Sequence, residues 1–231
     1  MCGEEVGSPR VGKVAPMKPF TFQLGNIPVH IHVSFLVVSA MLGASGRVTL
    51  AGLVQWVVVV LAGVLLHELG HAFTGRAFGL LPEIDLQGMG GLTSWRGGRR
   101  NVGMWRSVAI SLAGPFTGIA IGVATRLYAR MHSEGLDPRF ASFVSDVVWV
   151  NLGWGVLNLL PILPLDGGNV LLAVTQRVTD GRGERPARYV SIGFAIAVGV
   201  LALVTHNMFG ALLVAYFAIF NYQALRATGG T

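Results

Sequence analysis

The sequence predicts an all-α polytopic membrane protein with about six transmembrane helices, and three observations lead there. Of its 231 residues, 52% are hydrophobic and only 12% charged, about half the charged share of an ordinary soluble domain. The apolar residues gather into runs close to the roughly 20 needed to cross a bilayer as a helix. Between the runs lie short stretches that hold nearly all the charge, as membrane loops do.

Residues 1–26 read as a cytoplasmic tail. They carry Glu4, Glu5, Arg10 and Lys13 without an apolar core, so they are not a cleavable signal peptide. The single cysteine, Cys2, excludes an internal disulfide framework and cannot build a thiolate metal site alone. The first apolar run covers 31–46, with Val29 extending it backwards, and the second covers 51–79. Between the second and third runs, "LPEIDLQGMGGLTSWRGGRRN" has alternating apolar residues, glycines and turn residues. That pattern predicts a short re-entrant or β-like loop, which must be covered by protein or water.

The third run, 104–128, contains "SLAGPFTGIAIG". Gly114-Pro115 is expected to loosen the helix there, and Gly118 with Gly122 makes a small face for close helix contact. In the fourth run, 141–164, Pro161 and Pro164 remove backbone donors and should unwind the cytoplasmic end. The fifth and sixth runs cover 188–205 and 208–225. No repeat or long polar linker divides the chain, so 1–231 is expected to be one membrane domain.

The formal charge of +6 does not point to nucleic acid, because the basic residues sit at helix ends rather than in one aromatic-interleaved patch. Topology accounts for them. With the N-terminus cytoplasmic, the inner segments hold Arg10, Lys13, Lys18, Arg76, Arg96, Arg99, Arg100, Arg106, Arg177, Arg182, Arg185, Arg188 and Arg226. The outer segments hold only Arg47, Arg126, Arg130 and Arg139. The positive-inside rule then predicts both termini in the cytoplasm of a multi-pass cell-membrane protein.

The second run holds "VVVVLAGVLLHELGHAFTGRAFG". His67 and His71 stand four apart, so one helical face presents both imidazoles to a common point, with Glu68 beside it. Each ionisable group at membrane depth costs roughly 2.5–3.5 kcal/mol on insertion scales, so three together need a compensating partner. A zinc ion supplies one. It takes neutral nitrogen ligands at about 2.0–2.1 Å and can lower the pKa of a bound water toward about 7, and a neighbouring carboxylate can take that water's proton. An H-E-x-x-H match would arise by accident in only about one sequence of this composition in 250.

Two histidines leave zinc one protein ligand short. Asp166 is the best candidate: it follows the two prolines in "NLLPILPLDGG", and Gly167-Gly168 permits a sharp backbone that would aim it inward. Both it and "HELGH" fall toward the cytoplasmic side on the topology above. His32, in "PVHIHVSF", is the rival third ligand. His30 reads as an interface or core histidine, and His132 and His206 fall in outer loops.

"HELGH" in a hydrophobic segment, followed later by "NLLPILPLDGG", resembles the site-2 protease family of intramembrane zinc metalloproteases. The resemblance extends to "GMGGLTSW", to "LAGPFTG" and to "GNIPVHIHVSFLV", and matches the last two runs only in kind. It implies a catalytic core of spans two to four, about 51–168, with one zinc per chain held by His67, His71 and Asp166, and Glu68 as general base. It also implies that Asn158 helps to hold the substrate or the oxyanion. The implied activity is hydrolysis of a peptide bond in or near the transmembrane segment of a single-span membrane protein, such as an anti-sigma factor or a membrane-tethered transcription regulator. Neither the PDZ insert nor the CBS domains of some relatives are expected in 1–231.

Such an enzyme must hold its substrate extended, and a strand edge near Gly90 to Trp95 would do so by strand addition. On that reading, Gly91→Pro should cut hydrolysis and leave zinc content unchanged. Two other classes remain open at this point. One is a non-catalytic zinc-binding membrane scaffold or chaperone, which would not need Glu68. The other is an ion transporter, against which stands the lack of two related halves.

Overall fold

The computed structural model describes residues 18–44, 49–88, 90–97, 102–132 and 137–228. Most of the tail expected over 1–26, with Cys2, Glu4, Glu5, Arg10 and Lys13, lies outside these residues, as do Arg47, Arg99 and Arg100.

The described chain opens with a β-hairpin, β1 (Phe20–Leu24) and β2 (Ile27–Ile31), turning at Gly25 with φ of 59°. That left-handed conformation favours glycine, which has no Cβ to clash. In β2, Ile27 and Val29 are fully buried while Pro28 and His30 are half-buried, the period of two expected when one face of a strand is covered. Helix α1 (Val33–Ala44) follows, then α2 (Leu50–Ala77), whose first turn is capped by the Thr49 hydroxyl accepting from the Gly52 N–H.

The chain then returns to the sheet. Strand β3 (Pro82–Gln87) lies parallel to β2, with Val29 opposite Ile84, and β4 (Gly90–Trp95) runs antiparallel to β3. The order β1-β2-β3-β4 leaves β4 with one free edge. Ile27, Val29, Ile84 and Leu86 of the sheet pack on Phe35 of α1 and on Val64 and Ala72 of α2. Each of these large aliphatic side chains stabilises the sheet on α2 by about 1.5–3 kcal/mol on full burial.

Helix α3 (Met104–Met131) packs against α2 and runs unbroken through Pro115. The Gly114-Pro115 pair therefore does not interrupt the helix. Helix α4 (Pro138–Val148), a π-helical turn (Trp149–Gly153) and α5 (Trp154–Asn158) together form one apolar span of 21 residues. It ends six residues before the expected 164, because Pro161 and Pro164 cannot donate to a helical ladder. Helix α6 (Asp166–Val178) then begins at the candidate ligand itself. Helices α7 (Glu184–Val204) and α8 (Met208–Thr228) pack on each other, and Val214 and Phe217 of α8 with Ala195 of α7 enclose Ile162.

Among the described residues, five helices are long and apolar enough to cross a membrane: α2, α3, the α4–α5 span, α7 and α8. The chain is a multi-pass membrane protein of mostly helical fold with a small sheet added. The first expected span, 31–46, is instead the strand end of β2 followed by α1, a 12-residue helix. At 1.5 Å per residue that helix covers about 18 Å, well short of the roughly 30 Å hydrocarbon core.

Candidate metal centre

His67, Glu68 and His71 lie in the second half of α2 and are all buried, on the side that faces the sheet and α3. One turn apart, the imidazoles bring their Nε2 atoms to 3.1 Å, with the rings edge to face. Asp166, the first residue of α6, closes the triangle: its carboxylate oxygens lie 3.0 Å from His67 Nε2 and 3.3 Å from His71 Nε2. Tetrahedral zinc with bonds of about 2.0–2.1 Å has ligand-to-ligand edges of about 3.3 Å. The contacts of 3.1 Å between the imidazoles, 3.0 Å from His67 to Asp166 Oδ2 and 3.3 Å from His71 to Asp166 Oδ1 lie within about 0.3 Å of that edge, with a different carboxylate oxygen facing each imidazole. Two imidazoles with one carboxylate are a donor set suited to zinc.

Glu68 is grouped with the two histidines by distance, their possible donor atoms all lying within 4.8 Å of one another. Two carboxylates therefore compete for the third place. Asp166 touches both imidazoles, whereas Glu68 Oε2 accepts a 2.7 Å hydrogen bond from Thr93 Oγ1 on β4. The Thr93 hydroxyl also lies 3.2 Å from the Glu68 carbonyl. It has one proton to give, and the shorter bond to the carboxylate is the stronger. Glu68 is thereby turned toward the sheet and held beside the donor triangle.

The backbone around these groups is glycine where contact is closest. A Cβ at Gly114 of α3 would collide with His71 Nε2 and lie 2.7 Å from His67 Nε2. A Cβ at Gly91 of β4 would collide with Glu68 Oε1 and lie 2.5 Å from its Cγ. Gly167 and Gly168 serve the same end rather than a sharp turn: both are helical, and a Cβ on either would strike the backbone of Leu159, Leu160 or Ile162. They let the first turn of α6 press against the unwound segment, which sets where Asp166 points.

Hydrogen bonds fix the orientations of these candidate ligands further. His71 Nδ1–H donates to the Ile110 carbonyl at 2.6 Å, leaving the Nε2 lone pair for the triangle. The segment leading to Asp166 is held at Leu163 from both sides. Its N–H donates to Ser191 Oγ of α7 at 3.0 Å, and its carbonyl accepts from Asn221 Nδ2 of α8 at 2.6 Å. The last two helices thus anchor the chain three residues before the carboxylate.

The other sequence candidates lie elsewhere or are otherwise engaged. His32 Nε2 lies 3.6 Å from Asp85 Oδ1 on β3, and His30 bridges Thr21 Oγ1 and Glu83 Oε1, each at 2.9 Å. His132 donates to the Tyr128 carbonyl at the end of α3, and His206 follows α7. Asn158 donates one amide hydrogen to the Trp154 carbonyl at 3.1 Å. Sequence reasoning missed Thr93, Gly114 as a wall of the site, Ser191 and Asn221. Only Thr93 had a local signal, its place in the extended "GGLTSW" stretch beside a glycine pair.

An H-E-x-x-H cluster buried on one apolar helix, with a carboxylate at the start of a second helix, makes a candidate metal site within a core of membrane-spanning length. The model of peptidase family M50 matches residues 130–203, the part with Asn158 and Asp166. The chain is 28% identical over 225 residues to sll0528 of Synechocystis sp., covering 86% of this chain and 57% of that protein. It is 29% identical over 227 residues to Rip3 of Mycobacterium tuberculosis, covering 88% and 56%. It is 22% identical over 207 residues to Zinc metalloprotease MJ0392 of Methanocaldococcus jannaschii, covering 87% and 58%. The chain thus spans a little over half the length of these curated relatives. The fold matches a solved structure, the site-2 protease from Methanocaldococcus jannaschii, with a TM-score of 0.63 and 20% identity over 89% of this chain and 94% of that one. The chain is thus similar to peptidase family M50 over residues 130–203 and to curated zinc metalloproteases over most of its length.

Proposed function

We propose that this chain is a zinc endopeptidase that hydrolyses a peptide bond in or near the transmembrane segment of a single-span membrane protein. One Zn²⁺ per chain is held by His67, His71 and Asp166. The observation that carries the reading is the meeting of three donor side chains at contacts of 3.0–3.3 Å, drawn from two helices and buried beside a fourth, carboxylate, group. When bound, zinc supplies Lewis acidity and a water whose pKa falls toward about 7.

The residues of the chain then have distinct tasks. Glu68 accepts a proton from the attacking water and returns it to the leaving amine. Thr93 is a positioning residue that orients the Glu68 carboxylate through its 2.7 Å bond. The free edge of β4 takes the substrate as an added strand, which brings an extended backbone alongside Glu68, since Gly91 of that strand lies against its carboxylate. Asn158 has a second amide hydrogen beyond the one given to Trp154, and this donor helps to hold the substrate carbonyl.

The reading further takes residues 1–231 as one domain with the site toward the cytoplasmic side, from the Lys and Arg in the inner segments. The five crossing helices leave the two termini on opposite sides, so the expectation that both are cytoplasmic, which needed a sixth crossing at 31–46, is dropped. The test is reconstitution of the full chain in lipid vesicles with candidate single-span substrates, followed by cleavage assays with and without a zinc chelator. The parent should cleave and lose activity on chelation. Glu68→Gln should keep its zinc and lose at least about 100-fold in rate, the usual worth of a general base. Cleavage by Glu68→Gln at the parent rate would remove the proposed base.

A further inference from the structure

The buried polar groups of α2, α3 and the α4–α5 span are nearly all paired, and the exception lies next to the donor triangle. Asn151, in the π-helical turn, is 5% exposed. Its Nδ2 donates to the Val147 carbonyl at 2.9 Å, which fixes which end of the amide is oxygen, because only the NH2 end can face a carbonyl. The Oδ1 end is then the only buried side-chain acceptor without a partner among the described residues. Leaving such a group unpaired costs about 1–3 kcal/mol.

Asn151 also lines a small cavity of about 10 Å³, bounded by Gly63, Val64, His67, Gly118 and Gly155 among others. That volume is about one probe sphere, the least that holds a single water. His67 is the one ionisable residue on its wall. Both described hydrogen bonds of the His67 ring use Nε2, the atom aimed at the triangle. A histidine that ligates through Nε2 gives its Nδ1–H to an outer acceptor, which sets the tautomer. For His71 that acceptor is the Ile110 carbonyl.

We propose that the cavity is a binding site for one ordered water, which takes the Nδ1–H of His67 and donates to Asn151 Oδ1. Asn151 is in this way the positioning residue for the first histidine, as Ile110 is for the second. The glycines on the cavity wall let the helices approach closely around it: a Cβ at Gly63 would lie 2.8 Å from Val150 Cγ1, and one at Gly118 would lie 3.2 Å from the Asn151 carbonyl. The inference rests on the zinc reading above.

The test uses the full chain in detergent micelles, with zinc affinity measured by chelator competition and ligand geometry by the visible spectrum of the Co²⁺-substituted form. Asn151→Leu, which keeps the volume and removes the acceptor, should weaken zinc binding about 10- to 100-fold, the usual effect of losing an outer-shell partner. Its Co²⁺ spectrum should shift. Asn151→Asp, which keeps an oxygen at the cavity and loses the bond to Val147, should stay within about threefold of the parent. Equal loss in both variants, or parent affinity in Asn151→Leu, would overturn the proposal. A measurement on the unaltered chain guards against a variant that does not fold. With ¹⁵N-labelled histidine and zinc bound, the His67 Nδ1–H should show a cross-peak to a slowly exchanging water, and a His67 protonated on Nε2 instead would refute the idea. Failure of the parent to bind zinc at all would strike the metal reading itself, an outcome distinct from the others.

Discussion

Gly114→Ala places one methyl group where the two candidate ligands meet. Its Cβ would lie 2.7 Å from His67 Nε2 and closer still to His71 Nε2. An ordinary contact needs at least about 3.4 Å, so something must move by about 0.7 Å or more, whereas metal-ligand distances tolerate only about 0.2 Å. In the metal-free chain the imidazoles can rotate aside. With zinc bound they cannot, and the strain falls on the loaded state. An overpacking cost of about 1–3 kcal/mol converts to zinc binding about 5- to 140-fold weaker. Chelator competition on the purified chain measures this, with thermal unfolding of the metal-free form alongside. Gly193→Ala in α7 is the control: nothing lies within 4 Å of its Cβ, so zinc affinity should be unchanged. Parent affinity in Gly114→Ala, or a loss of affinity matched by a loss of metal-free stability, would refute the reasoning.

Thr93→Val removes the 2.7 Å bond to the Glu68 carboxylate; a bond to a charged group is worth about 1.5–3 kcal/mol, so kcat for a cleaved substrate should fall about 10-fold or more while zinc content holds. A fall in zinc content instead would show that Thr93 supports the ligands. Gly91→Ala should also lower kcat with zinc retained, because its Cβ meets Glu68 directly. The Gly91→Pro variant would disturb that carboxylate too, so it cannot by itself separate a strand-edge role from displacement of the base. Asn221→Leu breaks the 2.6 Å bond to the Leu163 carbonyl and leaves that acceptor buried, a cost of about 1–3 kcal/mol. The expected outcome is a lower unfolding temperature together with weaker zinc binding; full zinc affinity would show that Asp166 does not depend on the α8 anchor.

Much of the fold was legible because a bilayer imposes simple rules. Runs of about 20 apolar residues mark crossing helices, and α2, α3, α7 and α8 appear close to where those runs lie. Pro161 and Pro164 marked the end of the fourth span, since a missing N–H is a local fact. The first span was less legible. Ile27, Val29 and Ile31 alternate with Pro28, His30 and His32, a period-two signal for a strand, but the apolar run beginning at Val33 drew the segment into a helix. The strand becomes evident only when β3 arrives beside it, 50 residues or more later, and supplies its hydrogen-bond partners.

The sequence by itself determined the donor pair, because four residues on one helix bring His67 and His71 to the same face whatever surrounds them. It also singled out Asp166, as a carboxylate after a proline-broken span. Only the tertiary structure decided how these groups are arranged. The Thr93 bond to Glu68, the glycine wall at Gly114, the Ser191 and Asn221 anchors on Leu163 and the cavity at Asn151 all join residues distant in the chain. Helical periodicity acts over a few residues, whereas contacts between helices depend on how whole elements pack, and that packing leaves no short-range mark in the chain.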